Sequence, residues 1–547
     1  MQLAGFDFHT SHNQVPPLEN YNSFETNEVL RNIIRVYGNS WINAPAMDFG
    51  DIMGGHDMQE AGNLANKHLP VLKTHDRFGN RLDVVEFHPA YHQMMDVAIR
   101  HQVHSIAWTS AVPGGYLAHS ILSYLKQQID EGTSCPLTMT FAVVPSLKIN
   151  PDIAGEWLPL VLSGAYDPRH IPYLEKKGVT FGMAMTEPQG GSDVRANITY
   201  AVPAGKDIYK ITGRKWFCSA PMSDAFLVLA QSGRGLSCFL VPRFKPDGEK
   251  NKLHFQRLKD KLGNKSNASG EVEFHEAWGR IIGEEGRGVA NIMEMVRHTR
   301  LDCAVGSAAT MQRALAEAIH HCHYRSVFGR KLAQQPLMKN VLADLCLESE
   351  AATTLAMRLA RSFDEALVDE EAMHFTRIVT AVAKFWNTKR AVLVMGEALE
   401  CIGGNGYVEE SVMPRLYRDV PVNAIWEGSG NVQALDVLRA MHKEPASMEA
   451  LMNYFRKGLG LDTYLDKQLD ALQQLIAEPD AYELKARIIV EKMALAIQAI
   501  EMIRTAPHGV AHQFCESRLS PERNLTWGTL NNGAILDEII GRTFSGK

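Results

Sequence analysis

The feature that most constrains this chain is a change of hydrophobic period along its length, from helical spacing to strand alternation and back. From about Asn27 to Leu174, apolar residues recur three and four apart, as in VVEFHPAYHQMMDVAIRHQVHSIAW and GGYLAHSILSYLKQQIDEG, which predicts amphipathic helices. Near Val179 the texture becomes short alternating runs: IYKITGRKWFCSA, AFLVLAQS, LSCFLVPRF, KLHFQRLKD and GEVEFHEAW, punctuated by Gly, Pro, Asp and Asn. These predict a β domain, a small barrel or sandwich. After GEEGRGVANIM the helical period returns. TRLDCAVGSAATMQRALAEAIHHCHYRSVF and EAMHFTRIVTAVAKFWNTKRAVLVMGEALECI are long and free of Pro, as bundle helices are. HKEPASME marks a junction, and the remainder reads as helical with a Gly-rich end.

A chain of 547 residues exceeds what one core can organise. The expected class is α+β, mainly α. An N-terminal arm and helical domain fill 1–178, with the first ~30 residues extended. A central β domain spans 179–289, a four-helix bundle 290–440, and an additional helical domain 441–547. The net charge of −6 does not steer the chain to nucleic acid through its overall field. The eight cysteines form no CxxC pair and read as reduced core residues rather than a disulfide or zinc framework. The start of the chain lacks the basic and apolar regions of a signal peptide. No apolar run approaches a membrane span, so the expected location is cytoplasmic. In HHCH (320–323), His320 and His323 share a helix face, but a packed or solvated helix is the simpler reading, and no metal is expected. The basic stretch 242–265 reads as an edge strand whose lysines block aggregation.

Five segments carry candidate chemistry. AMTEPQGGSDVRA (184–196) is a Gly-rich turn whose hydroxyls and free N–H groups can cradle an anion. GRKWFCSA (213–220) follows one strand later, and strand alternation points Trp216 and Phe217 to opposite faces. In RSVFGRKLAQQPLMK (325–339), Arg325 can grip phosphate with two parallel donors. ECIGGNGYVEESVMPRLYRDV (400–420) follows a helix and is no Rossmann fingerprint. Its Gly403 and Gly404 allow close approach to a ligand, and Arg415 and Asp419 follow. IWEGSGN (425–431) sets Glu427 beside Trp426, which would shield the carboxylate from water and raise its pKa.

Together these segments resemble the signatures of the acyl-CoA dehydrogenase superfamily. The resemblance implies FAD, with Met185, Thr186 and nearby backbone on the flavin ring and Gly191 and Ser192 at the pyrophosphate. Phe217 would pack beside the flavin and Ser219 touch its reactive edge. Arg325 and Phe328 would reach the FAD of a neighbouring subunit, with Gly403, Gly404, Ser429 and Asn431 completing the site. It further implies Glu427 as the base that removes a thioester's α-proton, with Arg300 nearby. Four positions depart from the family pattern: Phe217 and Ser219 stand where Trp and Thr are usual, Glu400 where Gln is frequent, and Arg297 where an Asp often binds the pantetheine arm.

CPLTMTFAVVPSL (135–147), FHPAYH (87–92), RLKDKLGNKSNAS (257–269) and PVNAIWEGSGN (421–431) resemble one branch more than the rest, the AidB-type flavoproteins of the response to DNA alkylation. That resemblance implies a homotetramer, a dimer of dimers, with FAD at its interfaces. It also implies double-stranded DNA binding and protection of DNA, with uncertain activity on acyl-CoA or another small substrate. Residues 441–547 hold 12 basic and 14 acidic residues. A DNA face would therefore need clustered arginines, with Arg439, Arg504, Arg518 and Arg523 as candidates. The expected function is a DNA-associated FAD flavoprotein retaining α,β-dehydrogenation machinery. The alternative is a metabolic acyl-CoA dehydrogenase with no DNA role.

Overall fold

The computed structural model describes residues 12–478 and 482–546, so the first residues of the expected arm lie outside the described part. Helices run from Glu28–Tyr37 to Pro151–Val161. One expected helix begins later than its apolar pattern. The first residues of VVEFHPAYH belong to strand Arg81–Glu86, which pairs antiparallel with Val71–His75 as a hairpin, and the helix starts at Pro89, where the His88 ring accepts from Ala90 N–H. Pro89 has no N–H to lose at a first helical turn, which fixes the boundary there.

The β domain is a closed barrel. Strand Phe181–Ala184 lies parallel to Ala225–Ser232. Strand Ile208–Ser219 pairs with Tyr200–Pro203 on one side and with Ser269–Ile282 on the other. Ser269–Ile282 also binds Gly235–Pro242, which binds Ala225–Ser232. Alternation along Ala225–Ser232 divides its side chains between two cores. Phe226, Val228 and Ala230 fill the barrel, while Leu227 and Leu229 join the large helical core. Strand Leu253–Leu258 pairs only with Ser269–Ile282 and ends the sheet, as its lysine-rich flanks suggest.

Three long helices, Gly288–Tyr324, Pro336–Glu365 and Glu370–Ile402, pack against one another. The second is buried at every position from Leu342 to Ala360, which an amphipathic surface helix never is. Its outer side is covered by Tyr482–Thr505 and Leu536–Thr543 from the C-terminal segment. The buried carboxylates on it obtain their counter-charges from the same segment: Arg518 binds Asp344 and Glu348, and Arg542 binds Glu350. Near the C-terminal end, Ser545 N–H donates to Thr26 O at 3.0 Å. All eight cysteines are buried and free. Among the described residues no helix is long and apolar enough to cross a membrane.

Candidate active site

Glu427 sits in a turn between Val420–Ala424 and the helix Gly430–Lys443, with φ of 57°. A side chain other than glycine seldom holds that conformation unless its surroundings impose it. Here three buried donors impose it through the backbone. Arg300 Nε donates to Glu427 O at 3.1 Å, and Gln433 Nε2 to Glu427 O and Gly428 O at 3.0 Å. Lys384 Nζ donates to Trp426 O at 2.8 Å and also to Gly428 O. Arg300 is itself held by Asp436 at 2.7 Å. Arg300 therefore lies beside Glu427 and grips its main chain. Burial raises the Glu427 carboxyl above the ordinary carboxylate range, against the opposing pull of Thr299, Arg300 and Lys384. Its Oε2 is buried and has no hydrogen-bond partner. The same burial brings Lys384 down to about 8.

Glu427 and Trp426 line a cavity of about 20 Å³ between the helices Ser134–Ala142 and Gly288–Tyr324. The polar residues Glu131 and Asn423 in its wall are tied up with neighbours. Glu131 accepts from Thr310 and, at 3.0 Å, from Asn423 Nδ2. Asn423 Oδ1 in turn accepts from the Trp426 indole at 3.1 Å.

On the barrel, a register shift lies between Lys215 and Cys218. Lys215 pairs with Val272 and Cys218 with Gly270, so Trp216 and Phe217 together oppose Glu271. Such a bulge turns successive side chains to one side, and the expectation that Trp216 faces away from Phe217 is corrected. Lys215 and Cys218 point inward and are buried, whereas Lys259 Nζ lies over both the Trp216 and Phe217 rings. Phe217 is 49% exposed and forms a platform, with half-buried Ser219 two residues on. The 184–193 turn stands beside it, since Trp216 N–H donates to Thr186 O at 2.8 Å. Met185 and Thr186 are half-buried, and Gly191 and Ser192 are exposed. A Cβ on Gly191 would meet Thr186 Oγ1 at 2.6 Å, so glycine keeps this cradle open.

Other expected residues fall at the edges of the chain. Ser326–Val327 and Arg330–Lys331 form a hairpin tipped by Phe328 and Gly329, both with positive φ. Phe328 is 98% exposed. Arg325 Nη1 donates to Asn13 O at 2.6 Å, and His320 stands 2.8 Å from Pro16 O, so both tie down the arm. Gly403 ends the helix Glu370–Ile402 with φ of 71°, and no atom would meet a Cβ there or at Gly404 within 4 Å. Ser429 and Asn431 are exposed at the start of Gly430–Lys443. Arg415 and Asp419 are buried instead. Arg415 donates to Ile129 O, and burial raises Asp419 to about 7.

Helical parts before and after a closed barrel are the plan of the acyl-CoA dehydrogenase family, and the chain belongs to that family. Residues 182–277 match its middle domain and 286–442 its C-terminal domain. Residues 13–168 match the adaptive response protein AidB N-terminal domain. The chain is 44% identical to AidB of Escherichia coli (strain K12) over 93% of its own length and 94% of that protein's. The crystal structure of Caenorhabditis elegans ACDH-11 in complex with C11-CoA superposes with a TM-score of 0.86, at 27% identity, covering 96% of each chain. An acyl-CoA dehydrogenase from Bacillus anthracis complexed with FAD shares the fold, with a TM-score of 0.64 at 18% identity over 83% of this chain and 86% of that one.

FAD is the cofactor of this family. The Gly191 cradle, the Phe217 platform and the open backbone at Gly403 and Gly404 fit it. Four residues of this site escaped the sequence reading: Lys384, Gln433, Glu187 and Lys215. The last two anchor the 184–193 turn, for Glu187 accepts from Lys215 Nζ at 2.7 Å and from the N–H groups of Ile198 and Thr199. A lysine inside an apolar helix face, as in TAVAKFWN, was the available signal for Lys384. Three of the four arginines considered for DNA are paired with carboxylates of the chain. Arg518 lies partly buried between Asp344 and Glu348, Arg504 binds Glu501, and Arg523 binds Glu491. Arg439 is exposed.

Proposed function

We propose that the protein is a FAD-dependent dehydrogenase in which Glu427 removes the proton from the carbon next to an acyl thioester carbonyl. The observation that carries this reading is Glu427 Oε2, buried and without a partner in a cavity. A carboxylate stripped of water is the stronger base, and this oxygen has a lone pair free for a C–H proton. Trp426 excludes water from one side. Arg300, Gln433 and Lys384 hold the turn by its carbonyls, so the carboxylate itself is left to the substrate. Bound FAD supplies the acceptor for the β-hydride. The C11-CoA bound by the ACDH-11 relative supports a thioester ligand. The test is anaerobic addition of saturated acyl-CoAs to the FAD-loaded protein. Bleaching of the oxidised flavin band is expected, and none with any acyl-CoA overturns the reading.

The likeness to AidB supports a second role, association with double-stranded DNA in protection against alkylation. It also supports a homotetramer built as a dimer of dimers. Exposed Phe328, Tyr407 and Ile425, each in a signature segment, would be covered at its interfaces. Exposed Arg439 is the arginine best able to meet phosphate in this reading.

A further inference from the structure

We propose that Lys389 and Arg487 hold a phosphate of the FAD diphosphate, so that the C-terminal helix Tyr482–Thr505 lends a residue to the cofactor site; this rests on the FAD reading above and not on the role of Glu427. The far end of Lys389 lies against Gly430, where an added Cβ would meet its Cε at 2.7 Å and its Nζ at 2.8 Å. Gly430 stands between Ser429 and Asn431, the exposed pair that the family resemblance sets against FAD. The ring of Phe385 carries both cations. Lys389 Nζ is 5.2 Å and Arg487 Cζ 5.8 Å from its centroid, within reach of cation–π attraction. Phe385 is itself buried, so the ring is a fixed seat for the two.

Two like charges gathered in this way call for an anion. Among the described residues neither forms an ion pair, although their neighbours do. Arg390, next along the helix Glu370–Ile402, binds Glu348, and Lys485, on the same helix as Arg487, binds Glu478. Burial holds Lys389 below the ordinary lysine range, and the Arg487 charge pushes it down further, as like charges do when nothing negative stands between them. A phosphate placed there would relieve both, and a guanidinium beside an ammonium gives it charge-assisted donors. A phosphate of CoA offers the same chemistry. The position favours FAD, because Phe385, Lys389, Ser429 and Asn431 all lie outside the lining of the cavity beside Glu427. Arg487 also lies beyond residues 286–442, which match the family's C-terminal domain, so this donor belongs to the added segment and not to the family's shared machinery.

The test titrates FAD-free protein with FAD, read by flavin fluorescence, across a salt series. Lys389→Met and Arg487→Met keep an apolar stem on Phe385 and remove the charge. Each is expected to bind FAD about ten-fold more weakly, the order of one charge-assisted hydrogen bond, with a shallower dependence on salt. Lys389→Arg should keep the wild-type affinity, and the melting temperature of the FAD-free variants should not move. Unchanged FAD affinity in either Met variant overturns the proposal. So does weaker binding with the salt dependence of the wild type, which would make the pair a packing element. The same variants, loaded with FAD, are titrated with CoA by calorimetry. Loss of CoA affinity with FAD affinity intact would give the cations to a CoA phosphate and overturn their assignment to FAD. If the wild type itself binds no FAD, the cofactor reading falls and the proposal with it.

Discussion

Lys215 Nζ lies 2.7 Å from Glu187 Oε1 in the barrel wall, and neither side chain is more than 1% exposed. Lys215 also donates to Leu229 O at 2.7 Å, so one ammonium joins the 184–193 turn to the strand Ala225–Ser232. The position of the turn thus depends on a buried pair, and breaking such a pair leaves an uncompensated charge that costs about 3–5 kcal/mol.

Lys215→Met should therefore lower the melting temperature and the FAD content of the purified protein together. Burial alone would raise the Glu187 carboxyl, but its hydrogen bonds outweigh that and bring it down to about 2. A folded-state value below the unfolded one adds stability that is full above about pH 4.5 and fades as pH falls towards 2. Lys215→Met should flatten that acid limb in thermal melts. An unchanged melting temperature and FAD content would remove the pair's assigned role.

Glu427→Gln should slow flavin reduction by an acyl-CoA by about 10²–10⁴-fold, the usual contribution of a general base. The base must be ionised, and its pKa is raised by burial. The wild-type reduction rate should accordingly climb with pH through a midpoint above the ordinary carboxylate range. Stopped-flow reduction across a pH series reads this directly, and a pH-independent rate would contradict it.

Arg300→Gln leaves the Glu427 carboxylate in place and loosens its backbone. Displacement of a catalytic group by about 1 Å costs on the order of 10²-fold in rate. The reduction rate should fall by about that factor with the dissociation constant for substrate nearly unchanged. A selective loss of binding would instead assign Arg300 to the substrate.

Phe328 combines a φ of 49° with 98% exposure. Such a backbone costs about 1–3 kcal/mol for a bulky residue, with little packing among the described residues to offset it. Phe328→Gly should leave the melting temperature of the FAD-free protein unchanged or slightly higher. It should weaken FAD retention at least ten-fold, measured by flavin release on dilution. Undiminished FAD retention would show that the tip has no part in the cofactor site.

For DNA, Arg439→Ala should reduce the salt dependence of duplex binding by about one unit of slope. Arg518→Ala should instead lower the melting temperature, because Arg518 neutralises Asp344 and Glu348 within the fold. An identical salt slope in the Arg439 variant would exclude that arginine from phosphate contact.

The helix–barrel–helix order was legible because hydrophobic period is a local property, and the flavin signatures were legible because each is a short continuous string. What escaped the sequence depends on partners far away in the chain. The bulge at Trp216–Phe217 exists only relative to the register of Ser269–Ile282, some 55 residues on. The 71–86 hairpin hides in a pattern whose spacing also suits a helix. Arg518 read as a free charge until its carboxylates, 170 and 174 residues earlier, were brought to it. Glu427 could be named from its string, but the three donors on its backbone come from three different elements.

Ser545 near the C-terminal end is tied to Thr26 just before the first helix, and the C-terminal helices clothe the bundle rather than hang from it. Their arginines neutralise acids that would otherwise be stranded in the interior, and their apolar faces seal a helix with no wettable side. The extra segment is thus no detachable accessory. Removing it would leave Asp344, Glu348 and Glu350 without their arginines and the outer side of Pro336–Glu365 bare.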